Sequence, residues 1–218
     1  MHPNSGGMLK GARRFSDICY ALSLVAVLRS VAMVLLLLGV LLFALVHFIP
    51  SFAPTLRQGA ISKMGEGGYK GLFSLLLLAS LALIIIGWRS ADPTFIYQPP
   101  GGLHTIALCL LLFAFLLLVV STRNSRLRLV IRHPQLTGVA VWGVSHLLVN
   151  GDSRSIILFG GMALWAIIEI VAISKREGAW IKASAPSWGA EAVTVVIAAI
   201  AIAVVIFIHP WLSGVAVW

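Results

Sequence analysis

Five stretches of this chain run for roughly 17–19 residues with scarcely an ionisable side chain, and that fixes most of what it can become. They are Val31 to Ile49, Leu72 to Trp88, Leu103 to Val120, Ile156 to Ile173 and Ala192 to Ile208. The hydrocarbon core of a bilayer is about 30 Å thick, which a helix crosses in ~20 residues. Inside that core each backbone N–H and C=O must find its partner within the segment, so such runs become helices. A sixth run, Leu136 to Val149, is shorter and more polar. The expected fold class is therefore all-α: a polytopic membrane helical bundle of about six transmembrane helices. Only 11% of the residues are charged while 60% are hydrophobic, against about 25% charged in a soluble domain. Too few polar side chains remain to clothe a water-facing surface.

Charge placement argues in the same direction. The net charge of +9 could suit nucleic acid, but the basic residues sit in short loops between apolar runs, so no nucleic-acid partner is expected. Lys and Arg number three, four and three in the loops after the first, third and fifth runs, but one each after the second and fourth. The positive-inside rule places the richer loops in the cytoplasm. The C-terminus is then outside, and the protein a multi-pass membrane protein. Residues 1–30 stand apart as an N-terminal extension, since Lys10, Arg13, Arg14 and Arg29 contradict this orientation. Met33, just before Val34-Leu35-Leu36, offers an alternative start. The transmembrane domain covers 31–208, and 209–218 form a short tail.

Loop boundaries follow from breakers. The segment from Pro50 to Gly71, with Gly65, Gly67 and Gly68, is expected to be a loop, and Pro210 to end the last helix. The two cysteines, Cys19 and Cys109, form no CxxC pair or Cys/His cluster, which argues against a zinc site or a disulfide framework.

Polar groups in a spanning helix are expensive and tend to face the bundle interior. That filter leaves His47, His146 and Glu169, with Arg132, His133, His104 and Asn150 at helix ends. Gln135, Gly138, Trp142, His146 and Asn150 recur at spacings of three or four, so they share one helix face. A carboxyl at the depth of Glu169 must be protonated, paired or near water, and Arg132 and His133 are plausible partners. His104 and His209 read as interfacial residues. Two intramembrane histidines without thiolates suit a metal or haem held by imidazole. By helical rise, however, His47 lies about 5–8 Å from the basic end of the bundle and His146 about 18 Å. His133 is depth-matched to His47.

Three segments carry a family resemblance: Val46-His47-Phe48-Ile49-Pro50-Ser51; Arg132-His133-Pro134-Gln135-Leu136-Thr137-Gly138 with Trp142 through Gly151; and Phe159-Gly160-Gly161 leading to Trp165 and Glu169. In order and spacing they resemble the NnrU family of bacterial membrane proteins, over roughly Met33 to Trp180. That family is linked to denitrification and nitric-oxide metabolism and is similar to plastid 15-cis-zeta-carotene isomerase, a haem b enzyme. The resemblance implies haem b ligated by His47 and His146, with Arg132, His133, Trp142 and Glu169 as further cofactor-binding residues. The isomerase carries a cysteine three residues before the second histidine, where this chain has Gly143, so a ligand switch there does not carry over. Arg-His-Pro-x-x-x-Gly also resembles a segment of membrane methyltransferases that use S-adenosylmethionine, although no paired acidic residues follow. The function classes to weigh are thus a haem-binding membrane protein acting on a lipophilic or gaseous small molecule, a membrane methyltransferase, and a non-enzymatic scaffold. The site is expected between the fourth, first and fifth runs.

Overall fold

The structure, a computed structural model, describes residues 30–182 and 184–214. The extension at residues 1–29 lies outside the described residues. Six helices follow in order: α1, Ser30–Phe52; α2, Pro54–Ser90; α3, His104–Ser121; α4, Pro134–Leu147; α5, Ser153–Glu177; and α6, Trp188–Ser213. All but α4 are long and apolar enough to cross a membrane. Their outward faces are bare hydrocarbon, with Leu75, Leu78, Ile200 and Phe207 among the exposed side chains. The chain is an all-α, multi-pass membrane bundle. With 14 residues, α4 rises only about 21 Å, short of a bilayer core, and it is sandwiched between α3 and α5.

Helices in lipid gain little from burying apolar surface against one another, so close van der Waals approach at small residues does much of the work. Here that approach centres on α4. A methyl group at Gly138 would stand 2.9 Å from the carbonyl oxygen of Ala114 on α3, and one at Gly143 would stand 2.5 Å from the carbonyl oxygen of Phe159 on α5. The same device joins α1 to α2, through Gly39 against Ile84 and Gly87 against the Leu36 backbone, and α1 to α5, through Gly161 against Val40. The neighbours therefore run α2, α1, α5, α4, α3, α6. At one end α6 meets α2 again, where the Trp88 indole donates to Ser213 O at 3.1 Å.

Two breakers behave differently from expectation. The segment after α1 is helical from Pro54 onward, and only Gly65 (φ 77°, ψ 166°) leaves the helical region. One glycine in a left-handed setting is enough to turn the chain. Gly67 and Gly68 continue the helix beyond it, aided by an exposed Lys70–Glu66 pair at 2.8 Å. Likewise Pro210 does not end α6. A proline forfeits its own donor and crowds the preceding turn, but the last turn is held by the Gly214 amide on Pro210 O at 2.9 Å and by Trp88.

The two ends are stitched with polar contacts. At one end, Ser125 donates to Glu191 at 3.0 Å and Arg123 to Thr194 at 3.0 Å, fixing the segment just after α3 to α6. At the other, the amides of Ile96 and Tyr97 both donate to Gly151 O, at 2.9 and 3.0 Å. The Tyr97 hydroxyl donates to Leu147 O. The loop after α2 thereby caps the α4–α5 turn. We predict that Gly143→Leu, which drives a side chain into the Phe159 backbone, destabilises the fold by about 1–3 kcal/mol. Thermal denaturation in detergent should show a lower midpoint than for a Val144→Leu control on the exposed side of α4.

Candidate functional site

The residues singled out above fall into three separate places. The first lies between α3, α4, α5 and α6 at the end that holds Tyr97. There a cavity of about 310 Å³ is lined by Trp142 and His146 of α4, Phe159 and Arg154 of α5, Trp88 of α2 and His209 of α6. The helical face predicted for α4 is real over its second half, since Trp142, His146 and Asn150 all line this cavity. Gln135, by contrast, is exposed and Gly138 is buried against α3.

Several devices hold His146 still. Its ring stacks on Phe159, 4.1 Å between centroids and 20° between planes, and lies 5.0 Å from Trp142. Its Nδ1 is 2.9 Å from Trp142 O. A carbonyl can only accept, so Nδ1 carries the proton in that bond, and the neutral ring keeps its lone pair on Nε2. Phe159 sits in a π-helical turn, Ile156–Gly160. Such turns widen a helix locally and recur at functional sites. The other wall is charged: the Arg154 guanidinium lies 4.5 Å above the Trp88 ring, with its Nε 3.7 Å from Asp152.

The second place is the seam between α1, α2 and α5. His47 packs among Phe43, Trp165 and Phe73, with ring centroids at 4.2, 5.0 and 5.5 Å. Its Nδ1 donates to Phe43 O at 2.9 Å. One turn on, Ser51 donates to Glu169 Oε2 at 2.5 Å. Glu169 and Trp165 are buried, only 3% and 7% exposed, and Glu169 Oε1 and Trp165 Nε1 find no protein partner.

The third place is the basic end. Arg132 donates to Gly178 O at 2.8 Å and pairs with Glu177 at 3.4 Å. His133 Nε2 is 2.9 Å from Ser174 Oγ. The expected pairing of Glu169 with Arg132 or His133 is therefore corrected. Glu169 turns into the α1 seam toward Ser51, while the two basic residues are drawn to the end of α5, about a turn or two beyond it. Nor does the structure bring His47 and His146 to one cavity, for His47 is not among the residues lining the one at His146. Phe159 and Trp165, their respective neighbours on α5, are six residues apart and so point about 120° from each other around the helix. Sequence reasoning overlooked Arg154 and Trp88, and it read His209 as merely interfacial. The Asn150-Gly151-Asp152 turn just before Arg154 was the available signal for a polar wall.

Lipid-facing helices around a half-buried polar face define a multi-pass helical membrane protein with an internal ligand-sized cavity. The family model described as NnrU protein matches residues 35–217; the chain belongs to the NnrU family. No curated protein and no solved structure matches it.

His133 supplies a pH handle outside the spans. Burial, and next the neighbouring Arg132 charge, hold its imidazole below its ordinary value, against a smaller opposing pull from Glu177. As pH falls through about 6.5 the unfolded chain takes up the proton more readily than the folded one, so stability is full above that pH and declines below it. We predict that His133→Gln flattens the loss of thermal stability between pH 7.5 and 5 in detergent. Equal slopes for variant and wild type would refute the role.

Proposed function

We propose that this NnrU protein holds a planar, lipophilic ligand, haem b foremost, in the cavity between α3 and α6 through the imidazole of His146. The observation that carries this reading is the setting of His146. It lines an apolar cavity, is clamped between Trp142 and Phe159, and spends its Nδ1 proton on a backbone carbonyl. That bond orients a ring for ligation and leaves Nε2 as the electron-pair donor. Arg154, on the wall of the same cavity, suits a carboxylate on the ligand's rim, which guanidinium recognises in a forked geometry. The donor set therefore fits the group on one side. His47, in its own aromatic seam, is not placed to complete it from this cavity.

When bound, haem b would supply an iron able to take a diatomic gas or change oxidation state. That chemistry accommodates either a role in nitric-oxide metabolism or isomerisation of a lipophilic substrate. The protein's own part is to hold the macrocycle flat between apolar walls and keep bulk water from the iron. The loop charges support an inner-membrane orientation with the Arg132 end in the cytoplasm and the cavity toward the periplasm. The methyltransferase alternative draws on Arg132 and His133, but both side chains are occupied in tying α4 to the end of α5. Saturable S-adenosylmethionine binding, lost in Arg132→Ala, would favour it instead.

The full chain, expressed with haem supply and purified in mild detergent, should show a Soret band. The band should be largely lost in His146→Ala and weakened in Phe159→Ala. A haem-free spectrum for the wild type would overturn the reading.

A further inference from the structure

We propose that the cleft at the Arg132 end of the bundle is a binding site for an anionic phospholipid, whose headgroup phosphate is held by Arg128 and Arg132. The site lies apart from the cavity at His146 and stands whatever that cavity holds. A space of about 390 Å³ opens between the segment before α4 and the chain that leaves α5. Arg128, Arg132 and His133 come to it from the first, and Glu177, Trp180 and Ile181 from the second.

Charge carries the argument. Residues 122–133 and 174–191 bring seven basic side chains to this end and only two carboxylates. Both carboxylates are engaged. Glu191 accepts from the Ser125 hydroxyl and the Arg126 amide. Glu177 is shared by Arg132 at 3.4 Å and Arg176 at 3.6 Å. Arg132 spends a further donor on Gly178 O. Arg128 is left with one long hydrogen bond, Nη1 to Arg123 O at 3.3 Å, and with no ion pair among the described residues. A guanidinium presents its N–H donors in a planar fork, so most of those on Arg128 lack a protein acceptor. The partner missing from this cleft is an anion, and the oxygens of a phosphate match such a fork.

Position selects a lipid over a free anion. Helix α5 is long enough to cross a membrane, so its end at Glu177 stands at the level of the headgroups. Ile181, beside the charged groups, is 92% exposed, which is costly in water but not at the boundary between headgroups and acyl chains. Trp180 has the Lys182 ammonium 4.8 Å from its ring centre, and Trp188 has the Arg126 guanidinium at 4.2 Å. Tryptophan and basic side chains together mark a membrane interface, and basic pockets at helix ends take anionic headgroups. A ligand with a phosphate for the arginines and an acyl chain for Ile181 meets both demands.

The test is native mass spectrometry of the full chain in mild detergent, titrated in turn with dioleoyl phosphatidylglycerol, dioleoyl phosphatidylcholine and inorganic phosphate. The wild type should hold phosphatidylglycerol about tenfold more tightly than phosphatidylcholine, and millimolar phosphate should not displace it. Arg128→Gln, at an exposed position, should weaken phosphatidylglycerol binding about tenfold, the scale of a lost charge-assisted hydrogen bond. Lys63→Gln, which removes an exposed charge of α2 outside the cleft, should bind as the wild type does. Equal retention of the two lipids overturns the proposal. So does an Arg128→Gln variant that binds no more weakly than Lys63→Gln, since general surface charge would then account for the affinity. Displacement by phosphate overturns the lipid and assigns the cleft to a free anion.

Discussion

Two glycines on a helix too short to span the bilayer hold the cavity-bearing half of this bundle together. Gly138 lets α4 lie on the backbone of α3, and Gly143 lets it lie on the backbone of α5. In hydrocarbon, apolar side chains gain almost nothing by exchanging lipid for one another, so such approaches and a few polar ties must do the work that burial does in water. Trp142 sits next to Gly143, and His146 three residues on. Their rings consequently meet Phe159 at 4.9 and 4.1 Å. Any side chain at Gly143 would move α5 outward and with it the wall against which both rings rest.

The polar stripe of α4 is tolerable in a membrane for the same reason. From Gly138 onward its residues look toward α3, α5 and α6, and their hydrogen bonds close locally. Ser145 donates to Val141 O at 2.6 Å, His146 to Trp142 O, and the Asn150 amide to His146 O at 2.8 Å. Beyond the helix, Tyr97 and the Gly151 carbonyl complete the accounting for a turn that would otherwise leave bare backbone in a costly setting. A Cβ at Gly151 would collide with Tyr97 O, so the glycine is what allows the two loops to meet. The cavity is lined near this turn by Asn150, Asp152 and Arg154, and toward α3 and α6 by apolar side chains such as Leu111, Phe115 and Val205.

Much of this was legible in the sequence because the physics was one-dimensional. A run of ~20 apolar residues has one outcome in lipid, and a polar stripe at helical spacing has one direction to face. The three-four spacing of Trp142, His146 and Asn150 therefore predicted a shared wall. What was not legible depends on three dimensions. Three glycines within four residues suggested a loop after α1, yet only Gly65 takes a left-handed φ, because one turn suffices to redirect the chain. Pro210 suggested a stop, but a proline's missing donor matters little when the final turn is tied from outside by Trp88. Glu169 suggested an ion pair, but α5 presents it to Ser51 of α1. His209 was set aside as interfacial because nothing in its local sequence tells which helix will stand opposite.

The position of α5 explains why two histidines that resemble a ligand pair in sequence are separated in space. Helix α5 makes ring contacts with both. Its π-turn carries Phe159 under His146, and its next turns carry Trp165 under His47. A helix about 10 Å across with aromatic side chains on both flanks is a partition, so the His47 seam and the His146 cavity are distinct chemical environments. The first is a tight aromatic packet beside a buried carboxyl that has one oxygen still unpartnered. The second is open space lined by His146, His209 and Arg154. A flat ligand of any size needs the second kind of place. Any motion that joined the two would have to unstack Phe159 or Trp165 from its histidine, and the glycine contacts that seat α5 against α1 and α4 oppose that motion from both sides.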